Sequence, residues 1–321
     1  MYIYKKNMMY LFTIIIGLYI ICRFLGYKFE LFNYKSNELS NYIASRSYFY
    51  VCDHRINNPQ SESTEIPSTY PKSNGETIYI NTTAIPNFVS NYLPNIKYKF
   101  VLVSGDTDAT IPDDYNMETQ IILRNPLLLK WYAQNSKLIN SKLIQLPIGL
   151  DLHTLTTTQI WGSIQTVEEQ IIDIERIKSI KLNKENKCYS NFHFTLDSNH
   201  KYIYDRKDAY NQIQKELVYY EPNKIPRIES WQNMIKYKYV ISPFGNGLDC
   251  HRTWEAIILG CIPIVKKSEL STMYDGLPVL IVDNWTDINQ KLLDEYKPNY
   301  EKIEKIHMKY WINLFNIYKT N

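Results

Sequence analysis

The sequence predicts an α/β protein with two domains, each built on a parallel sheet, and one membrane helix ahead of them. Short apolar segments alternate with stretches long enough to hold a helix, which is the pattern of βαβ units. A polar stretch at 181–187 separates an earlier group of these segments from a later one. An uncharged apolar run at 8–22 precedes both groups, and its length and composition favour a membrane helix.

The first domain is predicted over residues 45–180. Its candidate strands are the short apolar segments at 48–52, 77–80, 100–104, 120–123 and 142–146. The stretch at 57–74 is rich in Pro, Ser, Asn, Glu and Thr, so we expect an exposed loop there. Apolar residues recur with helical spacing in 161–179, which predicts a helix near the end of this domain.

The second domain is predicted over residues 188–300, followed by a C-terminal helix in 301–321. Its candidate strands occupy 188–194, 239–242, 262–265 and 279–282. Its candidate helices occupy 205–217, 251–259 and 286–293. Because strands and helices alternate here too, the second sheet is also expected to be parallel.

Residues 8–25 are predicted to form an uncleaved signal anchor. The run is uncharged apart from Arg23, whose long side chain can reach the membrane surface. A cleaved signal peptide would need small residues before the cut, and the run and the residue after it offer only Gly17 and Gly26. Basic residues flank the run on both sides, so charge does not fix its orientation. Glycosylation sequons at Asn81 and Asn284 are compatible with a lumenal body.

Composition and charge exclude several classes of function. Among 321 residues, 36 Lys and Arg stand against 33 Asp and Glu, and a net charge of +3 is too small and too evenly spread for a nucleic-acid footprint. Nucleic acid is therefore not an expected partner. The five cysteines form no close pair, which excludes a zinc ribbon and a dithiol redox motif.

The segment at 237–265 carries the strongest functional signal. It reads YKYVISPFGNGLDCHRTWEAIILGCIPIV, in the order strand, glycine-containing loop, helix, tight turn and strand. Gly245 and Gly247 let a ligand approach the backbone, and the free amides that open a helix attract phosphate. Arg252 can bind phosphate through two hydrogen bonds, and Glu255 on the same helix can accept hydrogen bonds from ribose hydroxyls. The order of these features predicts a nucleotide-sugar site, although a two-glycine loop alone would be ordinary.

This segment closely resembles the motif GNGLDxHRxWEAxxxGCIPIV of exostosin-like glycosyltransferases. The resemblance continues upstream through FVLVSGDTDATIP at 100–112, NPLLLKWYAQN at 125–135 and LPIGLDLH at 146–153. It implies a GT-B fold, in which two Rossmann-like domains face a cleft. By this resemblance the donor pocket is lined by Arg206, Gly245, Asn246, Gly247, His251, Arg252 and Glu255. Phe244 departs from the family pattern, which often has a more polar or basic residue there.

The resemblance also implies an activity and a location. The protein would be a hexosyl- or pentosyltransferase that moves a sugar from a nucleotide-sugar donor to a glycan or glycoprotein acceptor. Transfer would be inverting and metal-independent, with no cofactor beyond the donor. The chain would be a single-pass, type II membrane protein of the Golgi or ER with a lumenal catalytic body. The motif does not specify the sugar, the nucleotide or the acceptor, because these depend on loop contacts.

An inverting transferase needs a base that takes the proton of the attacking hydroxyl. Asp108 and then Asp106, both after the strand at 100–104, are the first candidates. Asp151 and His153 are the next ones. Further candidates, for the acceptor surface, are Trp131, Gln134 and Asn135, in a stretch expected to be helical.

Two other functions stay open at this point. Asp106-Thr107-Asp108 follows an apolar strand, and Asp-x-Asp in that place is typical of GT-A transferases that hold Mn²⁺ or Mg²⁺. A membrane-tethered carbohydrate-binding scaffold without catalysis would keep the fold and lack an effective base. The GT-B interpretation is favoured because the segment at 237–265 supplies a complete donor site with its own cation.

Overall fold

The computed structural model describes residues 40–196 and 201–319. The predicted signal anchor at 8–25 lies outside these residues. Within them, no helix is both long enough and apolar enough to cross a bilayer. The described chain is an α/β protein with two parallel sheets, as the sequence predicts.

The first sheet has its strands side by side in chain order and all parallel: β1 (Glu76–Asn81), β2 (Phe100–Gly105), β3 (Leu128–Ala133) and β4 (Leu143–Gln145). Every residue of β2 is buried, because this strand is covered on both faces. The predicted strands at 77–80, 100–104 and 142–146 are confirmed.

The helices and turns of the first half are α1 (Ser47–Val51), a run of short turns (Thr82–Ala84, Ile85–Asn87, Phe88–Tyr92 and Leu93–Asn95), α2 (Asn116–Arg124), a turn at Thr154–Thr156, and α3 (Val167–Lys178). The start of α3 is fixed by a capping box between Thr166 and Glu169. The strand predicted at 48–52 is wrong, because this stretch is α1. The strand predicted at 120–123 is also wrong, because it lies in α2. Short apolar runs do not distinguish a buried helical turn from a strand.

The second sheet has five parallel strands: β5 (Glu185–Ser190), β6 (Val218–Tyr220), β7 (Tyr237–Ile241), β8 (Ile262–Lys266) and β9 (Leu280–Val282). Their spatial order is β6-β5-β7-β8-β9. The predicted strand at 188–194 is real but ends earlier, and the strands at 239–242, 262–265 and 279–282 are confirmed. No sequence pattern predicts β6, which is a short edge strand.

The helices of the second half are α4 (Ile203–Gln212), α5 (Arg227–Met234), α6 (His251–Ile258) and α7 (Gln290–Glu295). Short 3₁₀ turns accompany them at Phe192–Thr195, Lys215–Leu217, Ser271–Tyr274, Trp285–Asp287 and Ile303–Ile306. Three of these helices match the predicted segments at 205–217, 251–259 and 286–293, with later starts or earlier ends. Helix α5 was not predicted.

The last helix, α8 (Met308–Asn316), packs on the first half of the chain. Its Trp311 ring lies 6.3 Å from the Tyr48 ring and 6.4 Å from the Tyr132 ring. One apolar cluster contains these residues and also buried residues of the second sheet, such as Val240. The two sheets therefore share one core.

The two glycosylation sequons lie in different surroundings. Asn81 ends β1, is 2% exposed, and donates a hydrogen bond from Nδ2 to the Gln60 carbonyl. Asn284 is exposed and caps the turn at Trp285–Asp287. Only Asn284 is accessible for glycan attachment in the folded protein, so a single sequon is left as support for a lumenal body.

Candidate functional site

The candidate site lies at the carboxyl ends of β5 and β7. The chain leaves β5 for β6 on one side and returns to β7 on the other side, so the strand order reverses between β5 and β7. Ligands of open α/β sheets bind in the crevice that such a reversal leaves between two loops. The loops here are 191–196 after β5 and 242–250 after β7, and the second loop leads into α6.

A buried carboxylate binds the backbone of the loop at 242–250. Asp205 is fully buried, and its Oδ2 accepts a hydrogen bond from the Phe244 amide at 3.0 Å. Within the loop, the Gly245 amide donates to the Gly247 carbonyl at 3.0 Å, and Asn246 stands exposed at the tip. The Gly245 amide is therefore engaged in the loop, and the amides available to an anion are those that open α6, where Cys250 provides no side-chain cap.

Arg252, in the first turn of α6, lies against the loop that follows β5. Its Nε donates to the Asn191 Oδ1 at 3.0 Å, and its guanidinium lies 5.8 Å from the centre of the Phe192 ring. Its Nη1 is buried, and no described residue accepts a hydrogen bond from it. A buried cationic donor without an acceptor is costly, and a bound anion would satisfy it.

Arg206, in α4, brings a second cation to the same place. Its Nε donates to the Phe244 carbonyl at 3.0 Å, and its Nη1 donates to the Thr195 hydroxyl. Burial, and then the neighbouring Arg252 cation, lowers the pKa of Arg206. Two guanidinium groups close enough to repel each other form a site that favours a doubly charged ligand. The prediction that Arg206 joins Arg252 thus has a geometric basis, and Phe244 contributes through its carbonyl.

Glu255 follows Arg252 by one helical turn and is half-buried. Its carboxylate is close enough to the buried Arg227 guanidinium to oppose the lowering of that group's pKa by burial. Arg227 itself donates to the Asp151 carbonyl and to Gln170. The role of Glu255 as a ribose ligand stays a prediction.

No protein family model and no curated protein matches this chain. The likeness to exostosin-like transferases therefore stands on the motif residues themselves. The surroundings of each motif residue show what it can do, and they divide these residues into two groups. Arg206, Gly245 and Arg252 lie together at the carboxyl ends of β5 and β7. Gly247 and His251 instead contact the first half of the chain.

Those contacts form a seam between the two sheets, centred on Asp249. Asp249 is 3% exposed, and its carboxylate accepts hydrogen bonds from the Ile148 amide at 2.8 Å and from Trp254 Nε1 at 2.9 Å. The Asp249 amide donates to Asn135 Oδ1 at 2.9 Å. His251 Nδ1 donates to the Gly149 carbonyl at 2.8 Å. His251 therefore contacts the seam through Nδ1, and a role for it in the donor pocket is left to Nε2.

The backbone at Gly247 packs closely against the Asn135 side chain in this seam. A Cβ added to Gly247 would lie 2.7 Å from Asn135 Nδ2. We expect Gly247→Ala to lower the free energy of unfolding by about 1–3 kcal/mol, the usual cost of overpacking. Urea unfolding measures this loss. In an Asn135→Ala background the same change should cost much less, because the clashing side chain is gone; an equal cost in both backgrounds would contradict the close approach.

Asp106 and Asp108 do not share a site. The Asp106 carboxylate is buried and pairs with Arg46 Nε at 3.0 Å, and its amide donates to Gln134. Asp108 lies instead within electrostatic reach of Arg206. Residues 40–196 and 201–319 contain no group of three His, Cys, Asp or Glu side chains arranged to hold a metal ion. The metal-dependent alternative stays a prediction without geometric support, and the Arg46 pair counts against Asp106 as the base.

Asp151 and His153 follow β4 and lie beside a cavity. The Asp151 carboxylate accepts hydrogen bonds from the Thr154 amide at 3.0 Å and from the Thr154 hydroxyl at 2.7 Å. Its Oδ1 lies 3.3 Å from His153 Nδ1. Burial acts to raise the pKa of Asp151, but the His251 and His153 rings, and then the Thr154 hydrogen bonds, together hold it below its usual value. Asp151 is therefore ionised and a poor proton acceptor.

The residues predicted to form an acceptor surface are instead interior. Trp131 is fully buried in β3, where its Nε1 donates to the Ser104 hydroxyl at 2.9 Å. Gln134 is 1% exposed and connects Asp106 to the Pro147 carbonyl. Asn135 is 1% exposed in the seam. The expectation of a helix here is wrong, because 128–133 is a central strand, and Trp131 belongs to the core and not to an acceptor surface.

Sequence reasoning missed Asn191 and Asp249. Asn191 orients Arg252 and follows β5 directly, so its position at a strand end was the available signal. Asp249 lies inside the quoted motif, but a single acidic residue in a loop gives no sign that it joins two sheets. The partners that connect it to the first sheet come from 135 and 148, which are distant in sequence.

Proposed function

We propose that this protein is a glycosyltransferase that binds a nucleotide sugar at the β5/β7 reversal point and transfers the sugar to a glycan or glycoprotein acceptor. The donor diphosphate would lie between Arg206 and Arg252, over the amides that open α6. The ribose would lie toward Glu255. Transfer would be inverting, and the two cations would take the charge-neutralising role that a metal has in other transferases.

The observation that carries this proposal is the buried Nη1 of Arg252, which has no acceptor among the described residues. It lies near a second, half-buried arginine, Arg206, at a strand-order reversal. An ordinary structural arginine would be satisfied by a carboxylate or carbonyl. The combination therefore favours an anionic ligand whose charge matches two guanidinium groups, and the diphosphate of a nucleotide sugar carries two negative charges.

The arrangement of the two sheets supports a GT-B type of organisation. The loops after β3 and β4 supply Asn135 and Ile148, and the loop after β7 supplies Asp249, so the carboxyl ends of both sheets meet. Two Rossmann-like domains with facing carboxyl ends are the GT-B arrangement. Membrane anchoring by 8–25 and a lumenal location belong to the same proposal.

Thermal unfolding of the purified full chain with nucleotides tests the proposal. The panel contains uridine, guanosine and cytidine, their mono- and diphosphates, and the corresponding nucleotide sugars. A ligand present at 100 times its Kd adds about 2.7 kcal/mol, which corresponds to a rise in Tm of about 5–10 °C. We expect one diphosphate and its sugar conjugates to give this rise, while the matching nucleoside gives none.

The nucleosides are the internal control, because they keep the base and ribose and lack the phosphates. Equal shifts with a nucleoside and its diphosphate would contradict phosphate recognition by Arg206 and Arg252. The absence of any shift across the panel would reject the donor site. Release of free nucleotide on incubation with the selected sugar donor then distinguishes an enzyme from a binding scaffold.

A further inference from the structure

A cavity on the first half of the chain is lined in part by His153, whose electrostatic surroundings include His251 at the start of α6. Its volume is about 530 Å³, within the range of roughly 300–1,000 Å³ that is typical of small-molecule sites. Polar side chains line much of it, among them Arg46, Ser47, Asn57, Asn58, His153 and Thr156. Hydroxyl, amide and guanidinium groups of this kind bind the hydroxyl groups of a sugar.

His153 is the titratable side chain on this cavity with the geometry of a base. Its Nδ1 lies 3.3 Å from the Asp151 carboxylate and 3.3 Å from the Ser45 hydroxyl. Since a carboxylate can only accept, it favours the tautomer with hydrogen on Nδ1. The lone pair is then on Nε2, and no described residue forms a hydrogen bond with that atom.

Burial of the His153 ring favours its neutral form. Burial lowers the pKa of His153, and the neighbouring Arg46 and His251 side chains act in the same direction. The Asp151 and Asp106 carboxylates oppose them. A neutral imidazole that is 20% exposed can accept a proton from a ligand in the cavity.

The other candidate bases have competing partners. The carboxylate of Asp106 pairs with Arg46, and that of Asp151 is occupied by Thr154. Asp108 lies near Arg206, on the side where the donor phosphates would bind. His153 also lies near α6, the helix proposed to bind the donor diphosphate. His251 is the first residue of α6 and contributes to the electrostatic surroundings of His153.

We infer that His153 is the general base of sugar transfer, oriented by Asp151, and that the adjoining cavity holds the sugar acceptor. This inference rests on the proposed transferase function. An acceptor hydroxyl in the cavity loses its proton to His153 Nε2 as its oxygen bonds to the anomeric carbon. The bond from that carbon to the diphosphate breaks, and its electron pair leaves with the nucleotide between Arg206 and Arg252. The imidazolium then returns its proton to water.

The test uses the full chain, the nucleotide sugar selected by thermal unfolding, and a panel of p-nitrophenyl glycosides as acceptors. His153→Gln should lower kcat for transfer by about 100-fold to 10,000-fold, the usual contribution of a general base. The Kd of the donor should stay within about two-fold of the wild-type value, because His153 does not touch the donor site. His307→Gln, which changes a histidine at the start of α8, is the matched control and should leave both quantities unchanged.

The pH profile separates a base from a structural residue. In the wild-type protein, kcat should fall as pH decreases through a pKa below the usual 6.5 of histidine. The variant should lack this step and should instead speed up steadily with hydroxide concentration. Asn58→Trp, which fills the exposed side of the cavity, should raise the acceptor KM more than ten-fold and leave donor Kd unchanged.

Each alternative outcome has a distinct meaning. Donor binding with an unchanged kcat in His153→Gln would overturn this inference and leave the proposed function intact. A large loss in Asp108→Asn, without one in His153→Gln, would move the base to Asp108. The absence of nucleotide-sugar binding by the wild-type protein would reject both proposals. An unchanged acceptor KM in Asn58→Trp would place the acceptor outside this cavity.

Discussion

Replacing Arg252 by alanine should weaken nucleoside diphosphate binding by about 100-fold to 1,000-fold. Truncating one partner of a buried, hydrogen-bonded charge pair costs on the order of 3–4 kcal/mol, and each 1.4 kcal/mol is a factor of ten in Kd. Isothermal titration of the purified variants against the selected diphosphate measures this loss. Arg252→Lys should lie between wild type and alanine, because lysine keeps the charge and loses the planar fork.

The thermal stability of the unliganded protein should not fall in Arg252→Ala, although the affinity for the diphosphate does. Arg252 Nη1 is a buried donor without an acceptor among the described residues, so its removal relieves a desolvation cost. We therefore expect the Tm of unliganded Arg252→Ala to equal or exceed that of the wild type. Binding residues that cost stability are common at functional sites.

Arg176→Ala is the matched control, because Arg176 is 56% exposed on α3 and forms only a surface ion pair with Asp173. It should alter neither diphosphate affinity nor Tm. A large drop in Tm for unliganded Arg252→Ala, with unchanged diphosphate affinity, would make Arg252 a structural residue. That result would remove the main support for the donor site.

Asp249→Ala should be the most destabilising single change in the seam, with a loss of at least about 3 kcal/mol. The carboxylate serves the Ile148 amide, Trp254 Nε1 and the Tyr274 hydroxyl, and all three donors would become buried and unsatisfied at about 1–3 kcal/mol each. Urea unfolding, followed by tryptophan fluorescence, measures the loss. Asp283→Ala is the control, because Asp283 pairs with Lys267 on the surface and should change stability by less than about 1 kcal/mol.

The loss of unfolding free energy in Asp249→Ala should depend on pH. Burial raises the pKa of Asp249 to about 6 from an unfolded value of 3.8. The folded state thus holds its proton more tightly, so this contribution to stability is present below pH 3.8 and is lost as pH rises through about 6. The difference between wild type and Asp249→Ala should be larger at pH 4 than at pH 7. A difference that grows with pH would mean that the donors outweigh burial and keep the carboxylate ionised.

Much of the fold could be predicted because its central strands are apolar runs between turn signals. Strands β1, β2, β7 and β8 meet that description and were found close to their true bounds. The errors come from runs that resemble strands locally. In α2, Ile122 is fully buried while Ile121 is 46% exposed, so only packing distinguishes this turn from a strand. The true strand β3 contains Lys130 and was assigned to a helix.

The site was predictable to the extent that it is local in sequence. Arg252 and the loop before it share one segment, so their proximity follows from the strand-loop-helix order. The Asp249 seam and the pairing of Asp106 with Arg46 join residues far apart in the chain, and no spacing rule reveals them. Sequence reasoning therefore selected two arginines that lie near each other in the fold, and left the choice among the candidate bases to the folded geometry.

The position of α8 has a consequence for how the chain is made. Residues 308–316 are translated after the strands of both sheets, yet their Trp311 and Phe315 rings complete the packing around Tyr48 and Tyr132. The first half thus cannot finish folding while the ribosome is still adding the second half, contrary to the usual order in which amino-terminal units mature first. Nascent chains that stall before α8 should remain incompletely folded and depend on chaperones.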